Sequence, residues 1–173
     1  MPKSETILAL DPGLRELGFA VMTGPKLIAS GVRPLYLSPT RFRVGEARRM
    51  LRQLLKAHRP QLVILERTNA HPTGTFNSVH LLARSLLRMC SRRGIRTVTY
   101  ATQTVRKGIT GNGNAPKREV AKVLAARFLS LHVYVSQDKK WKERFWQNLF
   151  DALALAVFHQ MKDKPPSRSR SSG

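Results

Sequence analysis

Cysteine is almost missing: Cys90 stands alone in 173 residues. A lone thiol excludes an internal disulfide and a cysteine-rich zinc site, and fits a reducing compartment. Long apolar runs are missing too. The opening Met1-Pro2-Lys3-Ser4-Glu5 leads into an apolar stretch that Asp11 interrupts after five residues, too short for a signal peptide or a membrane span. No segment joins a basic face to a long apolar one, so a membrane surface is a poor partner. A cytosolic or nucleoid-associated protein is expected, of bacterial, phage or organellar source alike. The five histidines, His58, His71, His80, His132 and His159, never fall at the i, i+4 spacing of a helical zinc pair. Acids are the scarcest charge: ten Asp and Glu face 31 Lys and Arg, a formal charge of +21.

What is abundant is positive charge, spread along patterned segments as well as the tail. The partner this implies is a polyanion, nucleic acid above all, because neutralising phosphates releases counterions. A solubilising surface or a ribosome-associated protein is the blander alternative. The length suits one α/β domain over residues 1–161, followed by a Pro, Ser and Arg-rich tail over 162–173 that is expected to be disordered.

Thr6 to Leu10 is a continuous apolar run, as in a strand covered on both faces, ending at Asp11-Pro12-Gly13. Leu17 to Thr23 and Leu27 to Val32 read as two more strands separated by Gly24-Pro25, an antiparallel meander. From Arg43 to His58, Val44, Ala47, Leu51, Leu54 and Leu55 recur at helical spacing, with arginines on the other faces. Leu62-Val63-Ile64-Leu65 is a second buried-strand run that ends in Glu66. A loop over 67–77, a helix over 78–93 stopped by Gly94, and a strand over 95–100 follow. Residues 101–115 read as a polar, glycine-bearing connection, 116–128 as a helix with Pro at its first turn, and 141–161 as a last helix. The sum is a five-stranded mixed sheet, a three-strand meander plus parallel strands, flanked by helices.

Against this background three acids stand out. Asp11, Glu66 and Asp151 each end or interrupt an apolar segment, where an isolated carboxylate is costly to desolvate. Asp151 has Leu149, Phe150, Ala152, Leu153, Leu155 and Val157 on nearly every helical side. Each acid could pair with a nearby Arg15 or Arg67. Together, two strand-end carboxylates and one from a covering helix can converge on hard divalent cations, which take oxygen ligands.

The stretch Leu8-Ala9-Leu10-Asp11-Pro12-Gly13-Leu14-Arg15-Glu16-Leu17-Gly18-Phe19-Ala20-Val21 resembles the opening strand-turn-strand of the RuvC-type Holliday junction resolvases. Val63-Ile64-Leu65-Glu66 resembles the family's second catalytic strand, and Asp151-Ala152-Leu153-Ala154-Leu155-Ala156 its C-terminal catalytic helix. Between them, Val105 to Lys117 closely matches the family's Lys-bearing, glycine-containing loop leading into a helix. The first stretch alone also suits actin-like kinases; the later ones, in this order, favour the resolvases.

The resemblance covers most of residues 6–160. It implies a ribonuclease H-like fold, a homodimer, and paired magnesium- or manganese-dependent nicks across a four-way junction, with two ions per site on Asp11, Glu66 and Asp151. It implies DNA contacts from Arg15, Arg106, Lys107, Gly111, Asn112, Gly113 and Lys117, the glycines allowing close backbone approach. The helix over 78–93 is the one the family uses for dimerisation; packing against its own core is the alternative.

Three departures matter. Asn148 stands three before Asp151 where the family usually has an Asp or His, so it is a weak fourth catalytic group: its amide offers one neutral oxygen and cannot accept a proton. Asn69 stands three after Glu66, where many members carry an aromatic residue; Phe76 in the same loop is the candidate to stack on DNA instead. Arg106 stands where Lys is common, keeping the charge. The reading is a structure-selective DNA endonuclease. The alternatives are a non-catalytic junction-binding or architectural protein, and a nuclease of the same fold acting on other branched DNA or RNA–DNA hybrids.

Overall fold

The computed structural model describes residues 4–36, 40–68, 78–135 and 140–163. Its elements are β1 (Thr6–Pro12), β2 (Glu16–Thr23), β3 (Lys26–Pro34), α1 (Thr40–His58), β4 (Leu62–Glu66), α2 (Ser78–Ser91), β5 (Arg96–Tyr100), α3 (Thr102–Thr110), α4 (Lys117–Arg127), a 3-10 turn (Leu129–Leu131), α5 (His132–Val135) and α6 (Lys140–Asp163). The sheet order is β3-β2-β1-β4-β5. The meander β1-β2-β3 is antiparallel, and β4 and β5 add in parallel beyond β1. The five expected strands are all present.

Apolar runs form the central strands because helices cover both faces. Ile7, Ala9, Ala20, Met22, Leu62 and Ile64 pack into a core with α3, α4 and α6. Leu8, Leu10, Val21, Val63 and Leu65 pack on the other side with α1 and α2. Successive strand residues alternate between these cores, as the two-residue period requires. Arg59, at a φ of 45°, turns the chain out of α1 ahead of Pro60, and Gly94, at 66°, does so beyond α2.

One sequence reading needs correction. Residues 101–115 are not a connection throughout: Thr102–Thr110 is helix α3, with Val105 buried and Ile109 against the core. The apolar stripe is narrow, and the polar residues between hide its period. α3 lies close on α6, because the Phe158 ring fills the space where a side chain on Gly108 would stand. Only 111–116 remain as the loop into α4. At the end of the chain α6 continues two residues past the expected Met161, to Asp163; 164–173 lie outside the described residues.

Candidate active site

Strand alternation decides where the acids go. Asp11 follows Ile7 and Ala9, and Glu66 follows Leu62 and Ile64, so both carboxylates emerge on the α6 face. They do so one step beyond the Leu10–Leu65 pair, on neighbouring parallel strands. Helix α6 brings the third acid. Gly18 is the register partner of Asp11 on β2, and the Asn148 peptide group occupies the space a Cβ on Gly18 would need. The helix backbone therefore rests directly on the strand, one turn before Asp151.

The three carboxylates are held by different partners. The Lys117 ammonium lies 2.6 Å from Asp151 Oδ2, and the Gln147 amide donates to Asp151 Oδ1 at 3.0 Å. Thr102, the first residue of α3, donates its hydroxyl to Glu66 Oε1 at 2.6 Å. Glu66, Thr102, Arg106 and Asp151 line one small cavity of about 20 Å³. Burial pushes the Asp11 carboxyl well above its usual range, the Asp151 and Glu66 charges push the same way, and Lys117 opposes them. Burial draws the Lys117 ammonium down, but Asp151 beside it, with Asp11 and Glu66, more than reverses this and leaves it raised.

Among the described residues no three His, Cys, Asp or Glu groups are grouped tightly enough to enclose an ion. The reason is visible in the contacts: Asp151 is turned onto Lys117 and Gln147, and Glu66 onto Thr102. The donor chemistry nevertheless fits a hard divalent cation. Three carboxylates share one face, their mutual repulsion raises Asp11, and the Lys117 ammonium offsets them.

Asn148 points elsewhere. Its Nδ2 lies 3.5 Å from the Glu16 carbonyl oxygen, and 2.7 Å from where a Cβ on Gly13 would sit. The amide thus bridges α6 to the β1–β2 turn that follows Asp11.

The 111–116 loop is built on its own side chains. Gly111, at a φ of 82°, closes α3 by donating its N–H to the Lys107 carbonyl. The Asn112 N–H donates to Thr110 Oγ1, and Asn112 Oδ1 accepts from the Asn114 N–H at 2.9 Å. Gly111 has open space around it, so its contribution is conformational; Gly113 approaches the Gln103 carbonyl, where a Cβ would stand at 3.2 Å. Lys117 then opens α4 beside Asp151. Arg15 and Lys107 are exposed, Arg15 in the β1–β2 turn and Lys107 on α3. Phe76, with Asn69 and His71, lies outside the described residues.

Three supporting residues escape a reading from sequence. Thr102 is hidden when 101–115 is taken as a connection, although the Glu66–Tyr100 register points the chain back across Glu66 two residues later. Gln147 is four before Asp151, a spacing that flags a helical contact. Gly18 carries no signal of its own. His80 bonds to Thr68 through Nδ1 at 3.1 Å, and His159 is buried with its Nδ1 2.6 Å from the Tyr100 hydroxyl.

The chain matches the family described as "Crossover junction endodeoxyribonuclease RuvC" over residues 7–159. A protein of that name from Alkalilimnicola ehrlichii is 26% identical, over 96% of this chain and 98% of its own length. Another from Methylorubrum populi is 31% identical, over 88% of this chain and 78% of its own. Among solved structures, Thermus thermophilus RuvC superposes with a TM-score of 0.67 at 23% identity, over 89% of this chain and 92% of its own. The yeast mitochondrial Holliday junction resolvase Ydc2 gives 0.63 at 11% identity, over 92% and 81%. These likenesses carry the ribonuclease H-like fold expected from the motifs. With a family match that begins inside β1, ends near the close of α6 and so spans all three acids, the chain belongs to the crossover junction endodeoxyribonuclease RuvC family.

Proposed function

We propose that this protein is a structure-selective endonuclease that resolves four-way DNA junctions by paired, metal-dependent hydrolysis of phosphodiesters. The observation that carries the reading is the gathering of Asp11, Glu66 and Asp151 on one face beneath Lys117, in a chain of charge +21. Asp11, Glu66 and Asp151 would hold magnesium or manganese. When bound, such a metal would activate the attacking water and stabilise the leaving oxygen in phosphodiester hydrolysis.

The chain's own groups do the rest. Thr102 holds one oxygen of Glu66 through its hydroxyl. Gln147 and Lys117 orient Asp151. Lys117 holds net positive charge at the start of α4, where a phosphate also meets free backbone amides. Arg106, which lines the same cavity as Glu66 and Asp151, would contact the backbone of a bent strand together with Lys107, Arg15 and the Gly111-Asn112-Gly113 turn. Phe76 is the candidate for stacking at the crossover. Two symmetric strands must be cut, which calls for a homodimer with one site per copy. No described helix is long and apolar enough to cross a membrane, and action in the cytoplasm or on the nucleoid follows from the substrate.

The use of the Asn148 amide on the Glu16 carbonyl favours a second reading, a junction-binding protein without nuclease activity. Cleavage of a four-way junction, a linear duplex and a hybrid, with magnesium present or chelated, separates the two. Magnesium-dependent symmetric nicks in the junction alone, lost in Asp11→Asn, support the first reading. Tight binding without nicks under either metal, or equal cutting of all three substrates, sinks it.

A further inference from the structure

Helix α6 holds the sheet on both sides of Asp151. Before it, the Asn148 peptide group rests on Gly18 of β2. Two to three turns after it, α6 grips one residue of β5, Tyr100. The Phe158 ring meets the Tyr100 ring edge-on with centroids 5.0 Å apart, His159 Nδ1 lies 2.6 Å from the Tyr100 hydroxyl, and the Lys162 ammonium stands 5.7 Å from the ring centre. Asp151, Leu155, Phe158 and His159 fall at i, i+4, i+7 and i+8, so one face of the helix carries both the acid and the grip.

Tyr100 and His159 are both buried, at 9% and 5% exposure. Asp163 Oδ2 stands 3.1 Å from His159 Nε2, close enough for an ion pair but out of line for a hydrogen bond. A carboxylate on that side favours the proton on Nε2, so Nδ1 accepts from the Tyr100 hydroxyl. Apolar side chains could fill this space, and a buried polar pair adds little net stability over them. What the pair adds is direction: a hydrogen bond fixes one placement of β5 against α6, where apolar contacts allow sliding. That placement reaches Glu66. Tyr100 is its register partner, the Tyr100 carbonyl accepts the Arg67 N–H at 2.8 Å, and Thr102, two residues on, donates to Glu66 Oε1.

We propose that His159 and Tyr100 are positioning residues for the hydrolytic site: through their hydrogen bond, the helix that carries Asp151 also sets the place of Glu66. The proposal rests on the reading of the three carboxylates as that site. His159 is eight residues beyond Asp151, ~12 Å along the helix, and acts through Tyr100.

The test compares wild type with Tyr100→Phe and His159→Leu, which break the bond, and His159→Asn, whose amide oxygen keeps an acceptor. The first readout needs no activity: hydrogen exchange at the Arg67 and Val105 amides, which donate to the Tyr100 and Ala101 carbonyls. Both should exchange about fivefold faster in Tyr100→Phe and His159→Leu, with the amides of α1 unchanged. The second is kcat for junction nicking in magnesium beside junction affinity in chelator. We expect kcat to fall about tenfold or more, since a ~1 Å misplacement costs up to ~100-fold, with affinity unchanged. His159→Asn should restore most of both. Unchanged exchange in Tyr100→Phe overturns the proposal. So does faster exchange with wild-type kcat, which leaves the pair a brace of the fold only, and so do equal losses in His159→Leu and His159→Asn, which assign the effect to packing. If His159→Leu does not fold, Tyr100→Phe decides alone, since it keeps the ring against Phe158. A wild type that binds junctions and never nicks refutes the nuclease reading by itself. The place of Glu66 is then read from the magnesium concentration that gives half the rise in melting temperature: Tyr100→Phe must increase it, and no increase overturns the proposal.

Discussion

The Asn148 peptide group lies against Gly18, in the space where any other residue would carry its Cβ. Gly18 is also the register partner of Asp11. The separation of Asp11 from Asp151 is thus set by the missing side chain on the intervening strand. Gly18→Ala must push α6 off the sheet or bend β2, and overpacking of this kind costs about 1–3 kcal/mol. We expect a lower melting temperature and at least a tenfold loss of junction nicking, with binding to linear duplex little changed. Wild-type nicking by a stably folded Gly18→Ala would show that the close approach does not position the acids.

The raised Asp11 carboxyl gives stability a definite pH dependence. Its folded value lies above its unfolded one, so the folded chain holds the proton more tightly. The stabilisation is fully present below the unfolded value of about 3.9 and is lost as pH rises through the folded value. With metal chelated, melting temperature should fall over that window, and Asp11→Asn should flatten the fall. A divalent cation competes with the proton, so its stabilising effect should grow as pH rises. Thermal melts in magnesium and in chelator across pH test both arms; a metal effect independent of pH would remove Asp11 from the ligand set.

How much of this is legible in the sequence depends on what each residue's neighbours reveal. Asp11 and Glu66 stand out because each breaks an apolar run, and the meander follows from Gly24-Pro25. Which face they share is not legible, since a strand buried on both sides has no alternation to read. α3 escapes for a related reason: its apolar stripe is only Val105 and Ile109, and its closest approach to α6 runs through a glycine. Asn148 is visible as a departure from the pattern the motifs resemble, yet its amide is engaged at the Glu16 carbonyl, a partner 132 residues away.

Thr102 offers a test of positioning. Its hydroxyl bond to Glu66 joins a neutral donor to a charged acceptor, a class contributing about 1.5–3 kcal/mol. Thr102→Val removes the donor at nearly constant volume. We expect kcat for junction nicking to fall about tenfold or more, with little change in junction affinity measured under chelation. Thr102→Ser should restore most of the rate. Equal losses in Val and Ser variants would assign the effect to packing of α3 and not to Glu66.

Asn148→Asp looks at first like a repair, since it supplies the acid usual at this position. The local geometry argues that the repair is partial. The Nδ2 donor faces the Glu16 carbonyl oxygen, and an aspartate there sets acceptor against acceptor beside Gly13. It also adds negative charge near Asp11, already raised by burial and by its carboxylate neighbours. In chelator the variant should therefore melt lower than wild type. In magnesium the extra carboxylate can turn to a cation, which offsets both penalties, so the metal-induced rise in melting temperature should exceed the wild-type rise. Paired melts with and without magnesium decide it: an equal metal-induced rise in the two proteins means that position 148 serves only to hold α6 against the β1–β2 turn.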